Sequence, residues 1–163
     1  MGKALITGSN RGIGLELCRQ LKGRGEEVIA ACRATSPELD ALGVRVETGV
    51  DVTSDESVDA LARSLGDQRI DLLINNAGIL TGESLEDLDF DRIRKQFEIN
   101  SLGPLRVTAR LLGNLGKGSK VIIITSLMGS LADNTTGGRY GYRMSKAAVN
   151  MAGRSLTHDL EGH

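Results

Sequence analysis

The chain has 163 residues, of which 40% are hydrophobic and 25% charged, with a formal net charge of −1. That size and balance fit one globular domain that buries its own core, and exclude a disordered tail or a disulfide-stapled miniprotein. Near-neutral charge, with two Tyr, two Phe and no Trp, offers neither the basic field nor the stacking platforms of a nucleic-acid binder.

Residues 3–6, apolar after Lys3, predict a short first strand, running into a glycine turn at residues 7–14. Ile13, Leu17 and Leu21 then recur at helical spacing until Gly23 and Gly25. Residues 28–31 read as a second strand and residues 44–48 as a weaker third with alternating side chains. Thr53-Ser54-Asp55-Glu56 has the composition of a helix start, with Val58, Leu61, Ala62 and Leu65 following on one face. Residues 70–74 read as a fourth strand, apolar except at Asp71, as in a strand covered on both faces. A long helix is expected over residues 89–115 with Pro104 inside it, a fifth strand over 121–124, and a last helix from about Tyr142 to Leu160.

Strands alternating with helices imply right-handed crossovers and a parallel sheet, so the fold class is α/β, a Rossmann-type doubly wound sheet of about five strands in the order 3-2-1-4-5. Residues 1–163 are read as one nucleotide-binding domain. Ligand sites in such sheets lie beyond the carboxyl ends of the strands, where Gly8, Asn75 and Ser126 fall. Cys18 and Cys32 are too few for a disulfide framework and read as small buried hydrophobes of a reducing cytosol. No stretch approaches the ~20 apolar residues of a membrane span, and the chain opens directly into a strand. A cytoplasmic protein without a signal peptide is expected. His158 and His163 lack partners at metal-ligand spacing, and Glu83, Glu86 and Glu98 are expected on solvated faces.

The loop Gly8-Ser9-Asn10-Arg11-Gly12-Ile13-Gly14, between a strand and a helix, has the pattern Gly-x-x-x-Gly-x-Gly. Glycines let the backbone approach a pyrophosphate, and the helix N-terminus offers it free N–H groups. Tyr142 and Lys146 stand one helical turn apart and share a face. An ammonium near a phenol favours the phenolate, so Tyr142 can act as an acid in carbonyl reduction or a base in alcohol oxidation. Tyr140 is a poorer candidate because Met144 stands where its lysine would be.

These motifs together resemble the short-chain dehydrogenase/reductase family, in particular its C-factor and sniffer-like carbonyl reductase subgroup. The subgroup resemblance rests on residues 126–130, on residues 134–138 and on the long interval before Tyr142. By that resemblance Asp51-Val52 is the pair that contacts adenine. Asn75-Asn76-Ala77-Gly78 is the signature that supports the sheet beside the cofactor, and Asn100, Ser126, Tyr142 and Lys146 are the catalytic tetrad. Ser126 would hydrogen-bond the substrate oxygen, Lys146 would also hold the nicotinamide ribose, and Asn100 would hold a water leading from Lys146 to solvent. Pro104 cannot donate to the carbonyl of Asn100, so a local kink is expected there.

The second strand ends Ala31-Cys32-Arg33, without the acid that binds ribose hydroxyls in NAD enzymes, and Arg11 stands in the glycine loop. Two arginines suit a 2′-phosphate, which points to NADP(H) over NAD(H). The implied function is hydride transfer between NADPH and a small aldehyde, ketone or quinone, with no nucleic-acid or membrane partner. A catalytically inactive nucleotide-binding or signalling protein is the alternative, and a sugar-nucleotide epimerase ranks below both. Family members continue past this point with a sixth strand, a Pro-Gly turn, a substrate-covering loop, a further helix and a seventh strand. A chain ending at His163 would leave the fifth strand at the sheet edge. Ala147, Ala148, Ala152, Gly153 and Ser155 on the last helix permit close helix packing. By resemblance, this helix and the one before it build a homodimer or homotetramer interface.

Overall fold

The computed structural model describes residues 2–161; Met1, Gly162 and His163 lie outside the described residues. Five strands, β1 (Lys3–Thr7), β2 (Glu27–Ala31), β3 (Arg45–Glu47), β4 (Leu72–Asn75) and β5 (Lys120–Ile123), form one sheet in the order β3-β2-β1-β4-β5. Every neighbouring pair is parallel, with Leu5 opposite both Ile29 and Leu73. The helices are α1 (Gly12–Gly23), α2 (Pro37–Asp40), α3 (Asp55–Leu65), α4 (Phe90–Phe97), α5 (Gly103–Arg110) and α6 (Tyr140–Asp159).

Successive β1 side chains feed opposite layers, which is why Ala4, Leu5 and Ile6 at its centre are all apolar. Leu5 joins Ile29, Val58, Leu61, Leu73, Val107 and Leu111 on the face covered by α3 and α5. Ala4 and Ile6 join Cys18, Val28, Leu39 and Ile74 on the other face, beneath α1 and α2. Both cysteines are buried free thiols, as expected.

Three helical expectations change. The helix expected over 89–115 is broken: α4 passes into a wide π-type turn at Glu98–Leu102 before α5 begins, and a tight turn at Leu112–Asn114 follows. The Gly103 amide donates to the Glu98 carbonyl five residues back, and Pro104 stands in the first turn of α5. The kink expected near Asn100 therefore takes the form of an inserted residue. A short α2, capped by the Ser36 side chain on the Leu39 amide, was not anticipated. Helix α6 starts two residues before Tyr142. Among the described residues, no helix is long and apolar enough to cross a membrane.

Candidate active site

The carboxyl ends of β1, β2, β4 and β5 open onto a cleft of about 920 Å³. Of the residues expected to bind a nucleotide, Gly8, Asn10, Arg11, Gly12, Ile13, Arg33, Asp51, Val52, Asn76, Ala77 and Gly78 line it, together with Tyr142 and Lys146. The loop after β1, the loop after β4 and one face of α6 thus share one cleft.

The glycine loop is held from beneath. Thr7 Oγ1 accepts from the Asn76 and Ala77 amides, both at 3.1 Å. Asn76 Nδ2 donates to the Thr7 carbonyl at 3.0 Å and the Gly8 carbonyl at 3.1 Å. Gly14 packs where these meet: a Cβ there would collide with the Gly8 carbonyl oxygen and lie 2.6 Å from Asn76 Nδ2. Ser9 is buried and donates to the Ala31 carbonyl at 3.1 Å, so Ser9 and Gly14 shape the loop without lining the cleft. No side chain caps α1 and no acid occupies its first turn, so its N-terminal amides, two of whose residues, Gly12 and Ile13, line the cleft, carry no neutralising partner from the chain's side chains. Such an end attracts an anion. Asn10 Nδ2 donates to the Ala34 carbonyl at 2.9 Å, tying the loop to the end of β2 where Arg33 is exposed.

Asp51 Oδ1 accepts from the Thr53 amide at 2.9 Å and the Thr53 hydroxyl at 2.8 Å. These bonds, with smaller contributions from Arg33 and Lys95, hold its carboxyl below the usual value of 3.8. Cys32 also lines the cleft; burial raises its thiol pKa, so it stays a neutral wall.

Lys146 is buried, 4% exposed, and its Nζ donates to the Ile124 carbonyl at 2.7 Å. The same Nζ lies 5.7 Å from the Tyr142 ring centroid. Burial lowers the lysine pKa from its ordinary 10.5. Asn100, buried behind the cleft, donates from Nδ2 to the Ile79 carbonyl at 2.8 Å and to Ser145 Oγ at 3.0 Å, and accepts from the Ile79 amide at 2.8 Å. The wide turn aims Asn100 and Ser101 at α6, where Ser101 Oγ donates to the Ser145 carbonyl at 2.7 Å. Ser126 does not line the cleft; its Oγ accepts from the Met128 amide at 3.2 Å and caps the short turn Leu127–Gly129. Thr125 stands at the cleft wall in its place, held by Asn150.

Sequence reasoning missed Cys32, Ile79, Leu80, Lys95, Glu98 and Ile99 as cleft residues. Lys95, Glu98 and Ile99 share a helical face, but nothing local says which neighbour that face meets. Two of the three glutamates expected on solvated faces are placed otherwise. Glu98 is half-buried at the cleft, and Glu83 is buried at 4% exposure, because three donors reach its carboxylate. Among the described residues no cluster of His, Cys, Asp and Glu could hold a metal ion.

The profile of the family described as short chain dehydrogenase matches residues 2–163. A 1-hydroxy-2-glutathionyl-2-methyl-3-butene dehydrogenase of Rhodococcus sp. (strain AD45) is 49% identical over 162 residues, which cover 98% of this chain and 72% of that protein. The C-signal protein of Myxococcus xanthus is 54% identical over 95 residues, 56% of this chain and 57% of that one. Among solved structures, a carbonyl reductase from Pseudomonas aeruginosa PAO1 in complex with NADP superposes with a TM-score of 0.89 at 34% identity, covering 99% of this chain and 77% of that one.

Proposed function

The chain belongs to the short-chain dehydrogenase family, and from that premise we propose that it is an NADP(H)-dependent oxidoreductase interconverting a small carbonyl compound and its alcohol. One observation carries the reading: Tyr142 and Lys146 line the same cleft as a glycine loop that ends in an uncapped helix N-terminus. Solved relatives that hold NADP or NADPH support the choice of cofactor. So does the cleft itself, where Arg11 and Arg33 stand with no acid at the end of β2.

NADPH, when bound, supplies the hydride. The α1 amides with Gly8, Asn10, Arg11, Gly12 and Ile13 would hold its pyrophosphate end, on a loop that Ser9 and Gly14 shape from behind, and Arg33 would meet the 2′-phosphate. Asp51 and Val52 flank the adenine, and Asn76, Ala77 and Gly78 form the floor beside the sheet. Tyr142 gives its hydroxyl proton to the carbonyl oxygen as that oxygen becomes an alkoxide, and the Lys146 ammonium stabilises the phenolate left behind. Lys146 also binds the ribose. Ser126 donates to the substrate oxygen once its hydroxyl, now an acceptor for Met128, turns toward the cleft. Asn100 keeps a carbonyl that Pro104 cannot pair, which suits it to hold a water on the path that re-protonates Lys146.

The substrate class is an aldehyde, ketone or quinone, residues 1–163 act as one nucleotide-binding domain, and the protein works in the cytoplasm. It assembles as a homodimer or homotetramer through α4, α5 and the small-residue face of α6; a monomeric mass in light scattering overturns that assembly. The decisive test is NADPH oxidation over a carbonyl panel. The Tyr142→Phe variant is expected to lose about 10²–10⁴-fold in turnover while binding NADPH as before. Unchanged turnover removes Tyr142 from the role. NADPH binding with no carbonyl reduced by the unsubstituted protein favours a non-catalytic nucleotide-binding protein instead.

A further inference from the structure

Helix α6 carries Tyr142 in its first turn, yet nothing local caps it. The residue at its N-cap, Arg139, makes no side-chain cap and sits in the left-handed region at φ 50, ψ 44. It is the one non-glycine residue with positive φ among the described residues. A left-handed arginine is strained and persists only where its surroundings hold it.

Those surroundings are Glu83, on the loop that follows β4 and 58 residues before Gly141. Its backbone carbonyl accepts from the Arg139 amide at 2.8 Å, and its Oε2 accepts from the Gly141 amide at 3.1 Å. Its Oε1 accepts from Thr81 Oγ1 at 2.6 Å and from Gln96 Nε2 at 2.8 Å, and Gln96 Oε1 accepts from the Thr81 amide at 3.0 Å. The carboxylate therefore has donors on both oxygens and no cation partner among the described residues. A negative charge at a helix N-terminus is itself favourable. The packing leaves no slack: a Cβ on Gly141 would overlap Gln96 Nε2 and come within 3.0 Å of Ile93 Cα.

We propose that Glu83 is a positioning residue: its buried carboxylate is the N-cap that α6 lacks locally, and it fixes the Tyr142 phenol in the cleft relative to Lys146. The same carboxylate ties this helix start to Thr81, close after Ile79 and Leu80 of the cleft wall, so the wall and the phenol are set together. The inference rests on the reading of Tyr142 as the proton donor. Uncharged replacements fail for a geometric reason. The amide nitrogen of a glutamine would face either the Gly141 amide or Gln96 Nε2, whose orientation the Thr81 amide fixes, leaving donor against donor even where the Thr81 hydroxyl turns to accept.

The chain has two tyrosines, so Tyr140→Phe leaves Tyr142 as the sole tyrosine for fluorine NMR of protein labelled with 3-fluorotyrosine. In that background Glu83→Gln is expected to displace or split the single Tyr142 resonance while NADPH affinity holds. It is also expected to lower kcat at least about tenfold with little change in KM, the signature of a misplaced group. Combining Glu83→Gln with Arg139→Gly relieves the left-handed arginine and restores stability, and the resonance is expected to stay displaced because the cap is still missing. An unmoved resonance in folded Glu83→Gln protein, or its return in the double variant, overturns the inference. The resonance reads Tyr142 placement whether or not a carbonyl is turned over. If turnover is absent from the unsubstituted protein, or retained by Tyr142→Phe, the functional reading fails separately.

Discussion

Lys146 Nζ donates to the Ile124 carbonyl at 2.7 Å, so the backbone just past β5 holds the ammonium that faces Tyr142. The bond orients the lysine without neutralising it, and burial lowers its pKa below the ordinary 10.5. In the window between the lowered folded value and 10.5, the unfolded chain binds more protons than the folded one. Stability from this group therefore rises with pH through that window and levels off above it. Lys146→Met is expected to flatten that alkaline rise and to abolish turnover; thermal unfolding scanned across the alkaline range checks the first.

Arg33 lies exposed at the end of β2 and lines the cleft with Arg11. Arg33→Asp removes a cation from the 2′-phosphate site and introduces the acid that binds ribose hydroxyls. NADPH affinity is expected to fall by about ten- to a hundredfold, one charge-assisted contact, and NADH affinity to rise. Fluorescence titration with both cofactors measures the ratio, and an unchanged preference counts against the 2′-phosphate site.

Gly14 has no room for a side chain between the Gly8 carbonyl and Asn76 Nδ2. Gly14→Ala is expected to cost about 1–3 kcal/mol, as overpacking does, and to displace the loop so that NADPH binding is lost. Urea denaturation and a binding titration report the two effects separately. Gly23→Ala, with nothing within 4 Å of the added carbon, is the control and is expected to do neither.

Asn100 satisfies both backbone groups of Ile79 with its own amide. Asn100→Ala leaves a partly buried N–H and C=O without partners, at a cost of about 1–3 kcal/mol each. A lowered denaturation midpoint is expected, together with faster hydrogen exchange at Ile79. Exchange at the β1 amides, which open only with global unfolding, should quicken by no more than the loss of global stability, so a larger change at Ile79 marks the local effect.

Strand positions, the glycine loop and the Tyr142–Lys146 spacing were legible because each depends on local patterning. Leu72, Leu73 and Ile74 are apolar because β4 is covered on both faces, and Leu17 and Leu21 repeat because α1 packs one side on the sheet, while Ile13 at the helix start is exposed to the cleft. Pro104 announced the break near Asn100 but not its form. An inserted residue becomes favourable only when Asn100 and Ser101 find Ile79 and Ser145 across the interface. Glu83 was misread for the same kind of reason. A lone glutamate in a loop is solvated unless distant donors converge on it, and Thr81, Gln96 and Gly141 do so only in the folded chain.

The sequence by itself determined the order of strands and helices, the uncapped N-terminus of α1 and the shared face of Tyr142 and Lys146, since each follows from the repeat of a single element or the chemistry of adjacent residues. Tertiary structure decided which side chains meet in the cleft, where Lys146 loses its water, and what holds the start of α6. Those depend on groups 22 and 58 residues apart, in the Lys146–Ile124 and Gly141–Glu83 bonds, whose partners only the packing of the sheet and its helices brings within hydrogen-bond reach.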